Sequence, residues 1–518
     1  MKILRKNILL VVATFIFSTI LTAQNSFVAK VGNDKITSDE FIKRFELTPK
    51  VTADFSEDSS KINFLYSMIA EKLWALEGYN LGLQNSEYVK ISMNNMLEKL
   101  LLDQLYKKEI ENNVKVSSSE INKDLKKIHT KLIMNFISSS SKKEVYEIYS
   151  KLQNGANFDS LLSTRNEAAK QKVGIPVLYG DMSPELEEIV YKLEVGENTK
   201  PIFVSGVWVI YHLEKKEFIK THPNFPDKTD EKIAEEVIFG RKAKVKYQKF
   251  FRKNIKGHEV KTDKKLFNKL NNLLYSKLSE NLKNAYNPND KKYYLNYYQI
   301  LSVKKDFSQQ ELKRRFIKLK NNPVSLNKFI EEIAVDGLSV SKVDKISFYN
   351  MLSARVKKYI FDKLLIRLAY ERGLQNNKKL KMELKSWEES FVASYYRNSF
   401  LKKVSVGKKE INDYYLKIKD LIPDSLKNNY DYVKKRISSS LYFKKLEELY
   451  ELNTAKLAVK YRVKINRKLL KSLNVTSVQM IVYRNLGFGG SITAVPYLTP
   501  FYKWENWLPK KFIDNRNQ

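Results

Sequence analysis

There is no cysteine anywhere in the 518 residues, and histidine occurs only four times, at 129, 212, 222 and 258. The first absence excludes disulfides, thiol nucleophiles, acylated-cysteine anchors and cysteine-based metal sites. The second leaves no closely spaced pair able to grip a metal from one helix or strand, so no metal site is expected. The one glycine cluster, Gly487 to Gly490, lacks the Lys-Ser/Thr of a phosphate loop and the spacing and following helix of a dinucleotide fingerprint. It predicts a hairpin turn, and no cofactor is expected. Acidic residues are scarce: 58 Asp and Glu stand against 93 Lys and Arg, a formal charge of +35. No long Lys/Arg block marks a nucleic-acid arm, because the basic residues are spread through helix-like segments. The charge then means solvated faces, or attraction to acidic chains or an anionic membrane surface.

Hydrophobic residues make up 43%, with 31 Tyr and 27 Phe, enough to fold despite 29% charged residues, and the length predicts several units rather than one core. Lys2, Arg5 and Lys6 precede an apolar run from Ile8 to Ala23, the pattern of an export signal over residues 1–23. The run is short for a span, which needs about 20 residues, so an uncleaved inner-membrane anchor is the alternative reading. Export without cysteine fits a bacterial envelope protein, placed in the periplasm.

EKLWALEGYNLGLQN, from Glu71 to Asn85, returns as DKLLIRLAYERGLQN from Asp362 to Asn376, an offset of 291. VKVSSSEI (Val114 to Ile121) returns at the same offset as VSVGKKEI (Val404 to Ile411), with the capping-box spacing Ser117/Glu120 matched by Gly407/Glu410. Upstream, ITSDEFIKRF (Ile36 to Phe45) aligns with FSQQELKRRF (Phe307 to Phe316) at an offset of 271, which puts about 20 extra residues in the second copy after its first helix. Downstream, EVKTDKKLFNKL (Glu259 to Leu270) aligns with RVKINRKLLKSL (Arg462 to Leu473) at an offset of 203, so the first copy carries 88 residues that the second lacks.

Those residues read as strand, helix, short helix, helix and two strands, a small α+β domain inside long amphipathic helices. The expected architecture is α+β but predominantly α: two related helical modules, the first interrupted by the insert. The predicted boundaries are 24–127 for the first helical part, 128–218 for the insert, 219–290 for the helical return and 291–476 for the second module. The stretch 477–518 is an aromatic, proline-rich strap, either packed on the module or held out as a docking arm.

KLQNGANFDSLL (Lys151 to Leu162), MSPELEEIVYKLEVGE (Met182 to Glu197) and SGVWVIYHLEKKE (Ser205 to Glu217), set in this helical frame, resemble the SurA-type periplasmic chaperones and the parvulin-type (PpiC) peptidyl-prolyl isomerases. The likeness covers the insert end to end and the flanks more weakly. It implies a chaperone or foldase that binds unfolded outer-membrane or secreted proteins, with the parvulin-like domain as an accessory. Active parvulins resemble one another in a histidine of the first strand and one of the last. Those positions map here to Lys131 and Trp208, neither of which reproduces a neutral imidazole that both donates and accepts.

His129 and His212 share strand faces with Lys131 and Trp208 but sit about 7 and 13 Å away along a strand, too far to replace the pair. Met182 matches a methionine that lines the proline site, Leu186 stands where phenylalanine is usual, and the family's Gly-Gly-Asp-Leu-Gly run has decayed to Val173-Gly174-Ile175-Pro176-Val177. The resemblance thus implies no assignable catalytic residue, and a proline or client pocket of Lys131, Met182, Leu186 and Trp208 with weak or no isomerase activity. The alternatives are an active peptidyl-prolyl cis-trans isomerase and a basic structural or adhesion protein of the envelope.

Overall fold

The computed structural model describes residues 27–48, 56–165, 174–255, 260–280, 282–319, 323–423, 426, 429–476 and 481–509. The leader, Val173, His258 and both ends of the C-terminal strap lie outside the described residues. The chain forms two compact units, Met1–Leu105 with Glu259–Gln518, and Tyr106–His258.

The first unit opens with β1 (Phe27–Val31), β2 (Asp34–Thr37), α1 (Ser38–Leu47), α2 (Glu57–Asn80) and α3 (Glu87–Glu109), whose last turn crosses the boundary. The second unit holds α4 (Ser118–Ile128), β3 (Thr130–Ser139), α5 (Lys142–Gln153), α6 (Phe158–Ser163), β4 (Ile175–Val177), α7 (Pro184–Val190), β5 (Ile202–Val204), β6 (Val207–Phe218) and α8 (Asp230–Asn254). The first unit resumes with β7 (Lys261–Thr262), α9 (Lys264–Ser279), α10 (Leu282–Ala285), β8 (Tyr286–Asn287), β9 (Lys292–Leu295), α11 (Tyr297–Ser302) and α12 (Gln309–Lys313). Next come β10 (Arg315–Lys318), β11 (Val324–Ser325), α13 (Leu326–Asp336), β12 (Leu338–Val340), α14 (Lys345–Glu371), α15 (Lys378–Asn398) and α16 (Lys408–Ile418). It closes with α17 (Tyr430–Lys460), β13 (Lys464–Ile465), α18 (Arg467–Ser472) and the hairpin β14 (Tyr483–Asn485) and β15 (Ser491–Thr493) around the glycine cluster. The fold is α+β and predominantly helical, as the periodicity predicts.

The repeated string has a backbone cause. Gly82 and Gly373 have φ of 71° and 69°, left-handed geometry open to glycine at little cost, and each starts a Leu-Gln-Asn 3-10 turn between two long helices. The caps behave as their spacing predicts in the first copy, where Ser117 and Glu120 exchange both bonds. In the second copy Gly407 has no side chain, so only the return bond survives, from Gly407 N to Glu410 at 2.8 Å.

The 271-residue alignment does not hold. Ser308 and Glu311 do cap a helix, but α12 has five residues and is followed by a strand. The counterpart of β1–β2–α1 is β10–β11–α13, 288 residues on: Phe27↔Thr37 and Ala29↔Ile36 match Arg315↔Ser325 and Ile317↔Val324, with the same register shift between the two pairs. All but three of the extra residues, the difference between the offsets of 291 and 288, precede the second copy's first strand instead of following its first helix. Cap spacing misled because every capped helix shares it, whereas a strand register belongs to one pairing.

Each copy completes the other. β1 takes its third strand from the end of the second copy (Ala29↔Ile465, Lys30↔Lys464), and β10 takes the equivalent strand from the end of the first (Ile317↔Thr262, Lys318↔Lys261). The hydrophobic cores follow the exchange. One joins Ile36, Phe41, Leu65 and Trp74 to Ala393, Leu457, Ala458 and Leu470; the other joins Leu266, Leu270 and Leu274 to Phe316, Phe329 and Leu352. The strap caps the first of these. Trp504 is buried with its Nε1 donating to Tyr66 O at 3.1 Å, while the half-exposed Trp507 donates to Glu451 at 2.8 Å.

The second unit is wider than 128–218 at both ends. α4 and α8 bury Ile128, Ile233, Ala234 and Ile238 together with Tyr179 of the insert, and the Tyr179 hydroxyl donates to Asp124 at 2.9 Å. Residues 219–290 therefore do not act as one helical return: α8 belongs with the insert, and β7 and α9 belong to the first unit. In the second copy α16 and α17 pack in the same way across the short link 419–429.

Candidate functional site

The second unit's sheet is antiparallel in the order β4-β3-β6-β5, with β3 and β6 paired from Thr130↔Phe218 to Ser139↔Trp208. Strand alternation divides its side chains between two faces. Leu132, Met134 and Leu213 pack with Leu186 and Val190 of α7, and Met182, Tyr191 and Tyr211 border them. Ile137 and Ile210 pack on the other face with Val145, Ile148 and Phe158, and Trp208 lies against them.

The four residues expected to form one pocket are not brought together. Met182 and Leu186 share the α7 face. Trp208 is on the opposite face, and Lys131 lies at the far end of the ladder, opposite Glu217. The eight-residue separation between Lys131 and Trp208's partner Ser139 amounts to about 26 Å along the strand. The reason is direction: in an antiparallel ladder the beginning of β3 meets the end of β6, whereas Trp208 stands at the beginning of β6. Lys131 is an ion-pair residue, 2.6 Å from Glu217, whose carboxyl is lowered to about 2 by hydrogen bonds from Lys131 and then Lys215.

The residues that do face each other on β3 and β6 are Asn135 and His212. The His212 ring stacks on Phe158 at 4.5 Å, and its Nδ1 donates to Asn198 Oδ1 at 2.9 Å. Asn135 Nδ2 donates to Glu214 at 2.7 Å, and its Oδ1 is buried without a hydrogen-bond donor among the described residues. Sequence reasoning passed over this pair, because only the register identifies Asn135 as the partner.

The other two described histidines tie elements together. His129 Nδ1 donates to Ile219 O at 2.9 Å and Nε2 to Asp230 at 2.7 Å; the backbone bond first, then the Asp230 bond, raise its pKa. Buried His222 donates from Nε2 to Tyr179 O at 3.1 Å and accepts at Nδ1 from Asn224 N at 3.3 Å. No described histidine has another imidazole as partner.

Sequence spacing also gave no sign of the network that holds Met182. Glu187, fully buried on α7, accepts from Gly180 N at 2.8 Å and from Arg241 Nη2 of α8 at 2.7 Å, and the same Arg241 nitrogen donates to Met182 O at 3.2 Å. The guanidinium also lies 5.4 Å from the Tyr179 ring centroid. The loop that carries Met182 is thus fastened to α8, a helix outside the predicted insert. Among the described residues no group of acidic and histidine side chains could hold a metal ion, and no helix is long and apolar enough to cross a membrane.

The chain therefore combines a helical unit built from exchanged repeats with a small antiparallel-sheet unit. No protein-family model matches it. It is similar to the Foldase protein PrsA 2 of Bacillus cereus, 27% identical over 233 residues, covering 42% of this chain and 76% of that protein. It is also similar to the Foldase protein PrsA of Caldanaerobacter subterraneus subsp. tengcongensis, 28% identical over 234 residues, covering 38% of this chain and 74% of that protein. Among solved structures, the peptidylprolyl isomerase PrsA of Bacillus anthracis aligns with 22% identity and a TM-score of 0.21, covering 38% of this chain and 99% of that one.

Proposed function

We propose that this protein is an exported foldase that holds unfolded secreted or outer-membrane chains in the periplasm, SurA-like in its helical unit, with a parvulin-like unit of weak or no isomerase activity. The observation that carries the reading is the likeness to the two PrsA foldases. The weak-activity part is supported by the β3–β6 ladder, in which a carboxamide, Asn135, faces the one imidazole. Prolyl isomerisation faces a barrier of about 18–20 kcal/mol, and an enzyme lowers it only by binding the twisted amide better than the planar one. A single imidazole, held by Asn198 and stacked on Phe158, offers a poorer basis for that than a histidine couple. Holding clients needs no such site, only exposed apolar and aromatic surface.

Two assays on the purified protein test this. The expected result is suppression of light scattering by an aggregating outer-membrane protein at stoichiometric amounts, without acceleration of a proline-limited refolding reaction. Acceleration would make the chain an active isomerase. Salt-sensitive binding to anionic vesicles with no suppression would overturn the foldase reading in favour of a basic envelope component.

A further inference from the structure

An exposed aromatic platform lies on the second unit, at the strand that closes its sheet. Phe203 of β5 is 58% exposed and faces Trp208 across the ladder, with ring centroids 5.2 Å apart. The ring of Tyr146 of α5, 45% exposed, has its centroid 5.8 Å from that of Trp208. Trp208 packs against the Ile137–Ile210 core, which holds its ring in place. Lys142 Nζ lies 5.3 Å from the Trp208 centroid and 5.6 Å from that of Tyr146.

β5 is one of the two edges of the sheet: among the described residues only β6 pairs with it. Such an edge presents backbone donors and acceptors to any extended chain. A strand added there would point every second side chain at the face that bears the platform.

The charges around it are mainly positive. Lys143 has a side chain 88% exposed, and Lys200, just before β5, is also exposed. Of the nearby acids, Glu144 is engaged by Arg165 at 2.8 Å and Ser139 at 2.6 Å, and Glu147 lies 4.0 Å from Lys143.

We propose that β5 and the Tyr146–Trp208–Phe203 platform form a docking site for an extended acidic and aromatic segment of an unfolded chain. The inference rests on the foldase reading and names the class of segment it takes. The segment adds a strand to β5, an aromatic side chain stacks among the three rings, and a flanking carboxylate pairs with Lys142 or Lys143. Pro201 has no N–H and the strand covers only Ile202–Val204, so the pairing is short and the binding weak and easily reversed, as holding a client requires.

The test uses the full chain and a dye-labelled eight-residue peptide alternating phenylalanine with aspartate, followed by fluorescence anisotropy. Phe203→Ala and Tyr146→Ala, both exposed and so expected to leave the fold intact by circular dichroism, should each weaken binding at least fivefold. N-methylation of alternate peptide amides should weaken it as much, and replacing aspartate by lysine should weaken it most at low salt. Ile346→Ala, an exposed apolar residue of the first unit, is the control. Unchanged affinity in Phe203→Ala and Tyr146→Ala, or full affinity of the N-methylated peptide, overturns the site. Loss of the site with aggregation suppression intact leaves the foldase reading standing. Peptide binding at the platform with no suppression leaves the site standing and removes that reading.

Discussion

Lys72 of α2 reaches Glu389 of α15 at 2.5 Å, and Lys363 of α14 reaches Glu98 of α3 at 2.6 Å. Both lysines and both carboxylates are related by the same 291-residue repeat, and each bond joins one copy to the other. Their surroundings differ. Beside Lys72, Arg44 pairs with Glu71 and donates to Pro496 O of the strap at 3.2 Å. In the second copy the position of Arg44 is Glu332, which gives Lys363 a further carboxylate at 2.7 Å, and Asp362, the counterpart of Glu71, is bound by Lys358 at 2.8 Å. The cross-copy bond is common to both clusters, while the charges that neutralise each were rearranged. A buried ion pair is weak evidence of net stability, but its loss is costly because the remaining charge stays buried.

That contrast predicts unequal responses. Lys363→Met removes the shared partner of Glu98 and Glu332 and should cost about 3–5 kcal/mol in urea unfolding. Lys72→Met removes the hydrogen-bonded partner of Glu389 but leaves Arg44 beside the neighbouring Glu40, and should fall at the lower end of that range, about 3 kcal/mol. Equal losses would mean that the rearranged charges carry no energetic difference.

A closer contact distinguishes the two helix pairs next. Gly78 of α2 would place a Cβ 2.5 Å from Val392 Cγ1 of α15, whereas the matching position in the second copy is Ala369. Gly78→Ala should cost about 1–3 kcal/mol by thermal or urea unfolding, and adding Val392→Ala should recover most of it. Failure of that rescue would place the strain elsewhere.

The smallest effect concerns Glu40, whose pKa is raised chiefly by burial, against the lowering pull of Lys72 and Arg44. A carboxyl raised on folding favours the native state below its unfolded pKa, and that contribution is lost as pH rises through the folded value. Glu40→Gln should therefore stabilise the protein at pH 7 by less than about 1 kcal/mol, with the difference disappearing as pH falls below the ordinary carboxylate range. A gain that persists in acid would point to packing rather than charge.

Much of the repeat is legible in the string of residues itself. Gly82 and Gly373, the Ser117/Glu120 cap and the insert in the first copy follow from local chemistry: backbone geometry, capping spacing and apolar periodicity each involve residues a few positions apart. The candidate site was legible only in parts. Met182 and Leu186 do lie together, but Lys131 and Trp208 were grouped with them by likeness of strings, and such a likeness cannot register one strand against another. The Arg241–Glu187–Met182 network joins positions 54 or more residues apart, and nothing in their spacing announces it.

Amino-acid order alone was enough for the helical character, the duplication, the small α+β insert and the absence of thiol chemistry, since these depend on composition and on short-range backbone preferences. Tertiary pairing decided that the copies exchange their last strands, that α8 belongs with the insert, and that Asn135 rather than a second histidine meets His212. Each of those outcomes depends on which distant surfaces bury one another, and several partners satisfy the same local pattern until the core closes around one.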